Sequence, residues 1–529
     1  MLILQKATYI HPNKEVLFQD LDFVVNKNEK IALIGNNGTG KSTLLKIIAG
    51  QLPLNSGLLQ VESMPCYIPQ NLDAYQDKSI AEALGISEKW NALQEILAGE
   101  ANEQNMEILN DDWTLEDRVL QALEKWDLAD ITLDTSLSQL SGGQKTKVFL
   151  AGITIHEPEF ILLDEPSNHL DKPARKQLYD FIEHSNSTIL LVSHDRQLLQ
   201  LMPYMAELSQ GNIKRYGGNY DFYVEQKEME QTSLSNQVQN QQKELRKAKD
   251  KEREAIERQN KLNARGKKKQ EAAGIPKILM GALKNKAEGS SSKLKSVHED
   301  KISGIRSQLS DLRAQLPEID QMQFNFDESG LHLGKLLIEA KEINYEIKCR
   351  MLWKEDISLQ IRSGERIHIQ GANGSGKTTL IKMLLNKLEP SKGNIQSNSR
   401  RYIYIDQEYS LVQTNLSVYE MAQSFNNSGL QEHDIKIRLN RFLFGKDAWD
   451  KSCLSLSGGE RMRLLLCCLN ISTQAPDIMV LDEPTNNIDL QNIIILTEAL
   501  KNFKGTIMVV SHDENFILDL QVNREISLL

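Results

Sequence analysis

Two stretches of the chain have the spacing of a phosphate cradle: Gly35-x4-Gly40-Lys41-Ser42 and Gly371-x4-Gly376-Lys377-Thr378. The first reads GNNGTGKST and contains Gly35, Asn36, Gly38, Gly40, Lys41, Ser42 and Thr43. The second reads GANGSGKTT and contains Gly371, Asn373, Gly374, Gly376, Lys377, Thr378 and Thr379. Glycines at these positions let backbone N–H groups turn inward around phosphate oxygens, and the helix that follows adds its positive end. Lys41 and Lys377 bring a point charge to the outer phosphates, and the hydroxyls of Ser42 and Thr378 reach a Mg2+ ion carried by them.

Other candidate residues follow in the same order in both halves. Asp164 and Asp482 end apolar runs, where a carboxylate reaches the same Mg2+. Glu165 and Glu483 come next, placed to orient and polarise an attacking water. His194 and His512 stand in repeated VSHD segments, where a neutral imidazole can contact a terminal phosphate. Gln70 and Gln407 follow the tyrosine-containing runs CYIPQ and YIYIDQ, and an amide there can touch metal and water. LSGGQ and LSGGE place Ser141, Gly142 and Gly143, and Ser457, Gly458 and Gly459, at helix starts. A serine N-cap with exposed amides behind it is a second anion site. Such a site does not reach its own cradle, so the simplest arrangement is two halves head to tail.

The elements that must hold these groups repeat too. IALIG and IHIQG are short apolar strands leading into the Gly-rich turns, with helical patterns after them. FILLD, TILLVS, DIMVLD and TIMVVS are unbroken apolar runs, as buried parallel strands require. The fold class is therefore doubly wound α/β, present twice. The expected domains are 1–218 and 318–529. The first copy has about 20 extra residues, placed within 78–130, where WNALQEIL and LEDRVLQALEKW read as helices.

With these motifs in view, the chain resembles an ATP-binding cassette protein: Walker A, Q-loop, signature, Walker B, D-loop and H-switch, each twice. The resemblance implies an ATPase with two ATP molecules and Mg2+ sandwiched between the cassettes. Lys41 and Ser42 would share one nucleotide with Ser457 and Gly459, and Lys377 and Thr378 the other with Ser141 and Gly143. Two cassettes that pair within one chain imply a monomer. Ser167 replaces the usual threonine of that motif, while Thr485 keeps it. Tyr345 sits where the family places an adenine-stacking aromatic; in the first copy either Tyr9 or His11 could serve.

Between the cassettes, 219–317 reads as a helical hairpin. Tyr220 to about Ala264 is rich in Glu, Gln, Lys and Arg. A second helix over 292–316 places Ile302, Ile305, Leu309, Leu312 and Leu316 at a coiled-coil spacing, against a weaker seam of Val238, Leu245, Ala248, Ala255 and Leu262. The tip, 261–298, has ten Lys or Arg and two Glu, a net +8 in a chain of net −10, leaving −18 elsewhere. Its segment GIPKILMGALKNK adds an apolar cluster: Ile275, Ile278, Leu279, Met280 and Leu283. A basic, apolar tip suits phosphate contact and a narrow cleft. The overall acidic balance argues against general coating of nucleic acid. The five cysteines have no metal spacing, no apolar run approaches the roughly 20 residues of a membrane span, and no charged leader precedes the N-terminal apolar stretch, so the expected location is cytoplasmic.

Two cassettes without a membrane domain, joined by a charged hairpin, resemble the ABC-F proteins. That resemblance implies ribosome binding, with the linker entering the tRNA exit site and its tip approaching the P-site tRNA, large-subunit rRNA and the peptidyl-transferase region. The functions it implies are a translation factor or protection against large-subunit antibiotics. The competing classes are the ATPase subunit of a membrane transporter and a DNA-associated ATPase.

Overall fold

The computed structural model describes the chain except residues 101, 210, 273–295, 297–299, 313–331, 348–349, 373, 399–400, 428, 473–474, 487 and 529. Side chains are also undescribed at 259, 263 and 266–272. Asn373, Leu316 and most of the 261–298 tip therefore lie outside the described residues.

The first cassette opens with β1 (Leu2–Ile10), β2 (Val16–Val25) and β3 (Lys30–Ile34). Helix α1 (Lys41–Ile48), β4 (Ser56–Val61) and β5 (Cys66–Ile68) follow. Then come α2 (Ile80–Ala83), α3 (Ser87–Leu97), α4 (Glu103–Leu109), α5 (Leu115–Lys125) and α6 (Gly142–His156). It closes with β6 (Phe160–Asp164), α7 (Lys172–His184), β7 (Thr188–Val192), α8 (Arg196–Gln200), β8 (Tyr204–Ser209) and β9 (Asn212–Tyr216). The strands form two sheets: β2-β1-β4, and β5-β6-β7-β3-β8-β9. The second is parallel except for β9, and β6 and β7 are buried at every position. Those are the continuous apolar strands the sequence predicts.

The antiparallel sheet is an addition to the expected doubly wound layer. LILQKATYI alternates buried and more exposed residues over part of its length, the mark of a strand with one face on the core. Leu4, Phe18, Phe23, Leu33, Leu45, Phe160 and Val192 belong to one core that joins this sheet, α1 and the parallel sheet. The cradle is thus held from both sides. The two predicted helices of the extra segment are α3 and α5; α4 was not anticipated.

The second cassette repeats the plan. It comprises β10 (Leu336–Asn344), the hairpin β11 (Glu346–Ile347) and β12 (Arg350–Met351), β13 (Ile357–Arg362) and β14 (Arg366–Gly371). Then follow α11 (Lys377–Leu384), β15 (Lys392–Ser397) and β16 (Tyr402–Ile405). Residues of α12 (Val418–Ser424), α13 (Glu432–Arg441) and α14 (Gly458–Ile471) precede β17 (Ile478–Asp482), α15 (Leu490–Asn502), β18 (Thr506–Val510), α16 (Glu514–Asp519) and β19 (Arg524–Leu528). Its sheets are β13-β10-β15 and the parallel β16-β17-β18-β14-β19.

Two compact units emerge: Met1–Asp221 with Gln321–Leu529, and Phe222–Asp320. Both cassettes belong to the first. In the second, the long helix α9 (Tyr220–Ala272) has 53 residues, about 80 Å at 1.5 Å per residue. It extends past the expected end near Ala264 and through Gly266, since one glycine costs a helix only about 1 kcal/mol. Helix α10 covers residues 300–312. Of the expected seam, Val238, Ile302 and Leu309 are buried, whereas Leu262 is 60% exposed. Among the described residues no helix is long and apolar enough to cross a membrane.

Candidate active sites

Both cradles are shaped by glycine. Gly40 and Gly376 cap α1 and α11 in the left-handed region, φ 97° and 93°, with no side-chain cap on the first amides. Gly35 has φ 152°, and a Cβ there would come within 2.4 Å of the Leu208 carbonyl oxygen. Uncapped N–H groups facing a loop are what a phosphate needs. The lysines are poised beside them: Lys41 Nζ donates to the Gly35 and Asn36 carbonyls at 2.6 and 3.0 Å, and Lys377 Nζ to those of Gly371 and Ala372 at 2.7 and 3.0 Å. Burial lowers the pKa of both ammonium groups, against the opposing pull of nearby carboxylates.

The candidate metal donors also meet across elements. Ser42 Oγ donates to Asp164 Oδ1 at 3.1 Å, and Thr378 Oγ1 to Asp482 Oδ2 at 3.2 Å. Hydroxyl and carboxylate side by side form a hard oxygen set that fits Mg2+. Two tyrosines that sequence reasoning did not assign a role complete the arrangement. Tyr67 donates to Asp164 Oδ2 at 3.3 Å and Tyr404 to Asp482 Oδ2 at 2.8 Å. Their signal was present in the strands CYI and YIYI, but only β5 and β16 pairing with β6 and β17 aims each phenol at its aspartate.

Glu165 and Glu483 follow in the left-handed region, φ 51° and 50°, with their N–H groups donating to Val192 O and Val510 O at 2.8 and 2.9 Å. That conformation is uncommon outside glycine and is held here in both copies. His194 Nε2 lies 3.4 Å from Glu165 Oε1, and His512 Nε2 lies 3.3 Å from Glu483 Oε1. These are close contacts without hydrogen-bond geometry, because Glu165 Oε1 and both Glu483 oxygens are buried with no partner. Such orphaned acceptors suit an incoming water or ligand. Burial, then the Asp164 charge, pushes Glu165 up to about 8; burial pushes Glu483 up to about 7, with Arg175 opposing. Burial, then the Lys41 charge, holds His194 down to about 3; burial, then Arg175, holds His512 down to about 4. Both imidazoles are therefore neutral near pH 7.

A cavity of about 410 Å³ sits at the first cradle, lined by Lys41, Gln70, Glu165 and His194, with Thr485 and Ile488 of the second cassette. His11 also lines it, whereas Tyr9 is buried in the core, which separates the two first-copy aromatics. From the second cassette, Asp489 Oδ2 accepts from the Asn37 N–H at 3.0 Å. Thr43 lines the same cavity. Tyr345 is half-buried and packs on the second core, and Gln407 is half-buried after β16.

Ser141 and Ser457 are N-caps with complete capping boxes, to Gln144 and Glu460. The cavity lining does not include Ser457 or Gly459. Gly459 instead packs on α15: a Cβ would come within 2.2 Å of Asn492 Nδ2. Gly142 faces the His169 ring of its own cassette. The D-loop segment, not the signature serine, is thus what meets the first cradle from the opposite cassette.

A sequence model described as "ABC transporter" matches residues 18–168 and 354–486, more than half of the chain. A second with the same description matches 206–281. The chain is 29% identical to "ATP-binding protein Uup" of Haemophilus influenzae, over 96% of this chain and 76% of that protein. It is 30% identical to "ABC transporter F family member 5" of Arabidopsis thaliana, over 97% of this chain and 72% of that one. The fold is similar to archaeal aABCE1, solved in complex with the ribosomal stalk protein aP1. That likeness has a TM-score of 0.59 at 21% identity and covers 99% of this chain and 87% of the other. The chain belongs to the ATP-binding cassette family, among its F-type members, and is an ATPase.

Proposed function

We propose that this ATPase is a ribosome-associated clamp: ATP draws the cassettes together, the closed form binds the ribosome, and hydrolysis releases it. The observation that carries the reading is the pairing of both cassettes in one unit, with Asp489 of one on the cradle of the other. Nucleotide occupancy is thereby tied to the cassette interface. Support for the target comes from the F-type relative and from structural neighbours described as a ribosome recycling factor and as ribosome-bound. The basic, apolar segment 261–298 supports RNA contact at the tRNA exit site and peptidyl-transferase region, and with it protection against large-subunit antibiotics.

In this reading Lys41 and Lys377 hold the outer phosphates, and Glu165 and Glu483 orient the attacking water and, in their ionised form, accept its proton. Neutral His194 and His512 donate an N–H to the terminal phosphate. Mg2+ would be held by Ser42, Gln70 and Asp164, and by Thr378, Gln407 and Asp482; when bound it offsets phosphate charge. Ser457 and Gly459, and Ser141 and Gly143, would close on the nucleotide held by the other cassette.

The test uses the double variant Glu165→Gln, Glu483→Gln, which binds ATP and hydrolyses it slowly. Lysate is sedimented through sucrose with and without ATP. Co-sedimentation with ribosomes only with ATP supports the clamp, and survival on large-subunit antibiotics is then scored. Recovery in the membrane pellet, or with DNA, overturns it in favour of a transporter subunit or a DNA-associated ATPase.

A further inference from the structure

We propose that Trp353 is a positioning residue of the second ATP site: its indole sets the phosphate loop, a hold that the first site lacks. Trp353 follows β12 and is 4% exposed. Its Nε1–H donates to the Ser375 carbonyl, inside the Gly371–Thr379 cradle, at 2.8 Å. A peptide unit is planar and trans, so its C=O and the following N–H point in opposite directions. The carbonyl turned to Trp353 therefore turns the Gly376 N–H away from the indole and from the core in which that ring packs. Gly376 caps α11 with no side chain on the first amides, so no side chain competes with a phosphate oxygen for them. The ring lies directly against this loop: a Cβ at Gly376 would stand 3.1 Å from it and 2.6 Å from Leu352.

The indole is itself held in place. Asn344, 1% exposed, donates from Nδ2 to the Trp353 carbonyl at 2.9 Å and to Asp356 Oδ1 at 3.0 Å. Its Oδ1 accepts from the Trp353 N–H at 3.2 Å and from the Tyr345 N–H at 2.9 Å. One buried amide thus fixes both backbone groups of Trp353. The first site is fastened differently. A Cβ at Gly40 would meet Leu17 at 2.7 Å, as one at Gly376 would meet Leu352, so the two leucines correspond. The residue after Leu17 is Phe18, 1% exposed and without a donor. There Thr39 Oγ1 donates to the Asn36 carbonyl at 2.9 Å, within the loop itself. Ser375, the residue in the place of Thr39, has a buried Oγ with no partner among the described residues. The first loop is closed by its own hydroxyl and the second by an indole from outside it.

A buried indole N–H needs a partner wherever it sits, and a purely structural role predicts lower stability with unchanged nucleotide affinity. The test is Trp353→Phe, which gives the second site the ring type of the first. ATP binding to the full chain is measured by equilibrium dialysis in Lys41→Ala, where the second cradle binds, and in Lys377→Ala, where the first does. The expected result is a Kd raised about fivefold in the Lys41→Ala background, the scale of one neutral hydrogen bond, and changed by less than about twofold in the other. Single-turnover hydrolysis at saturating ATP in Glu165→Gln should stay within about twofold, because the loop is set by binding and not by the chemical step. If the Phe variant fails to fold, benzothienylalanine at position 353 keeps the bicyclic ring and removes the N–H, with the same fivefold expected. An unchanged Kd in the Lys41→Ala background, equal weakening in both backgrounds, or a slower step at saturating ATP with Kd unchanged would overturn the assignment. The proposal rests on Gly371–Thr379 being a nucleotide cradle; Lys377→Ala still binding two ATP molecules would overturn that reading and the role of Trp353 with it.

Discussion

Glu165 and Glu483 carry the same backbone strain, a buried Oε1 without a partner and the same histidine neighbour. Neutral histidines in such a site make the protein acid-sensitive in a calculable direction. His194 has its pKa depressed from 6.5 to about 3, chiefly by burial. A depressed value means that the unfolded chain binds the proton more readily than the folded one. The contribution is therefore complete above pH 6.5 and is lost as pH falls toward 3, by about 1 kcal/mol per pH unit within that window. Thermal unfolding at pH 7 and pH 5 should show His194→Gln losing less stability than the wild type, with the gap opening by about 2 °C. Parallel losses would mean that the imidazole is not buried neutral.

Elements explain the glycines that chemistry alone does not. Gly459 opens α14 without an unusual backbone angle, yet α15 leaves it no room. Asn492 is fixed there by Asp489 Oδ1 at 2.8 Å and by Arg463 at 3.1 Å, so it has little freedom to retreat. Asp489 is also the residue that meets Asn37. Gly459→Ala should cost about 1–3 kcal/mol, the range for overpacking a filled site. It should also lower ATPase activity by disturbing Asp489. A variant with unchanged unfolding temperature and activity would show that α14 and α15 can part freely. At this scale the sequence reading was strongest: the unbroken apolar runs are parallel strands and the serines are caps. It missed α4 and did not separate the antiparallel sheets, because the adjacent exposed Gln5 and Lys6 interrupt the alternation of β1, and its register shifts there.

At the scale of the molecule, the two cassettes present opposite charge to each other: Lys172 and Arg196 on one, Glu514 and Asp519 on the other. Arg196 and Glu514 each follow the HD pair of their own copy, so equivalent positions have diverged to complementary signs. Two first cassettes would set like charges against each other, as would two second ones. Glu514→Lys should raise the ATP concentration for half-maximal hydrolysis, and adding Lys172→Glu should restore it. The pair is more than 40% exposed on both sides, so the change should be about fivefold or less, the scale of a surface ion pair. Failure of the swap to restore affinity would mean that the ion pair does not couple to closure.

The sequence by itself determined the local chemistry. A phosphate cradle, a strand-end acid pair and a serine cap each depend on residues within one turn or one strand end, where steric rules and hydrogen bonds act over a few positions. The doubling of every motif made the two-cassette plan legible as well. Only the tertiary structure decided what lies far apart in the chain. It brought Tyr67 and Tyr404 to their aspartates, chose His11 over Tyr9 at the first cavity, and set Asp489 against Asn37 and Lys172 against Glu514 across the two cassettes. Those contacts depend on which strands pair and which helix faces meet, and no spacing along the chain encodes that.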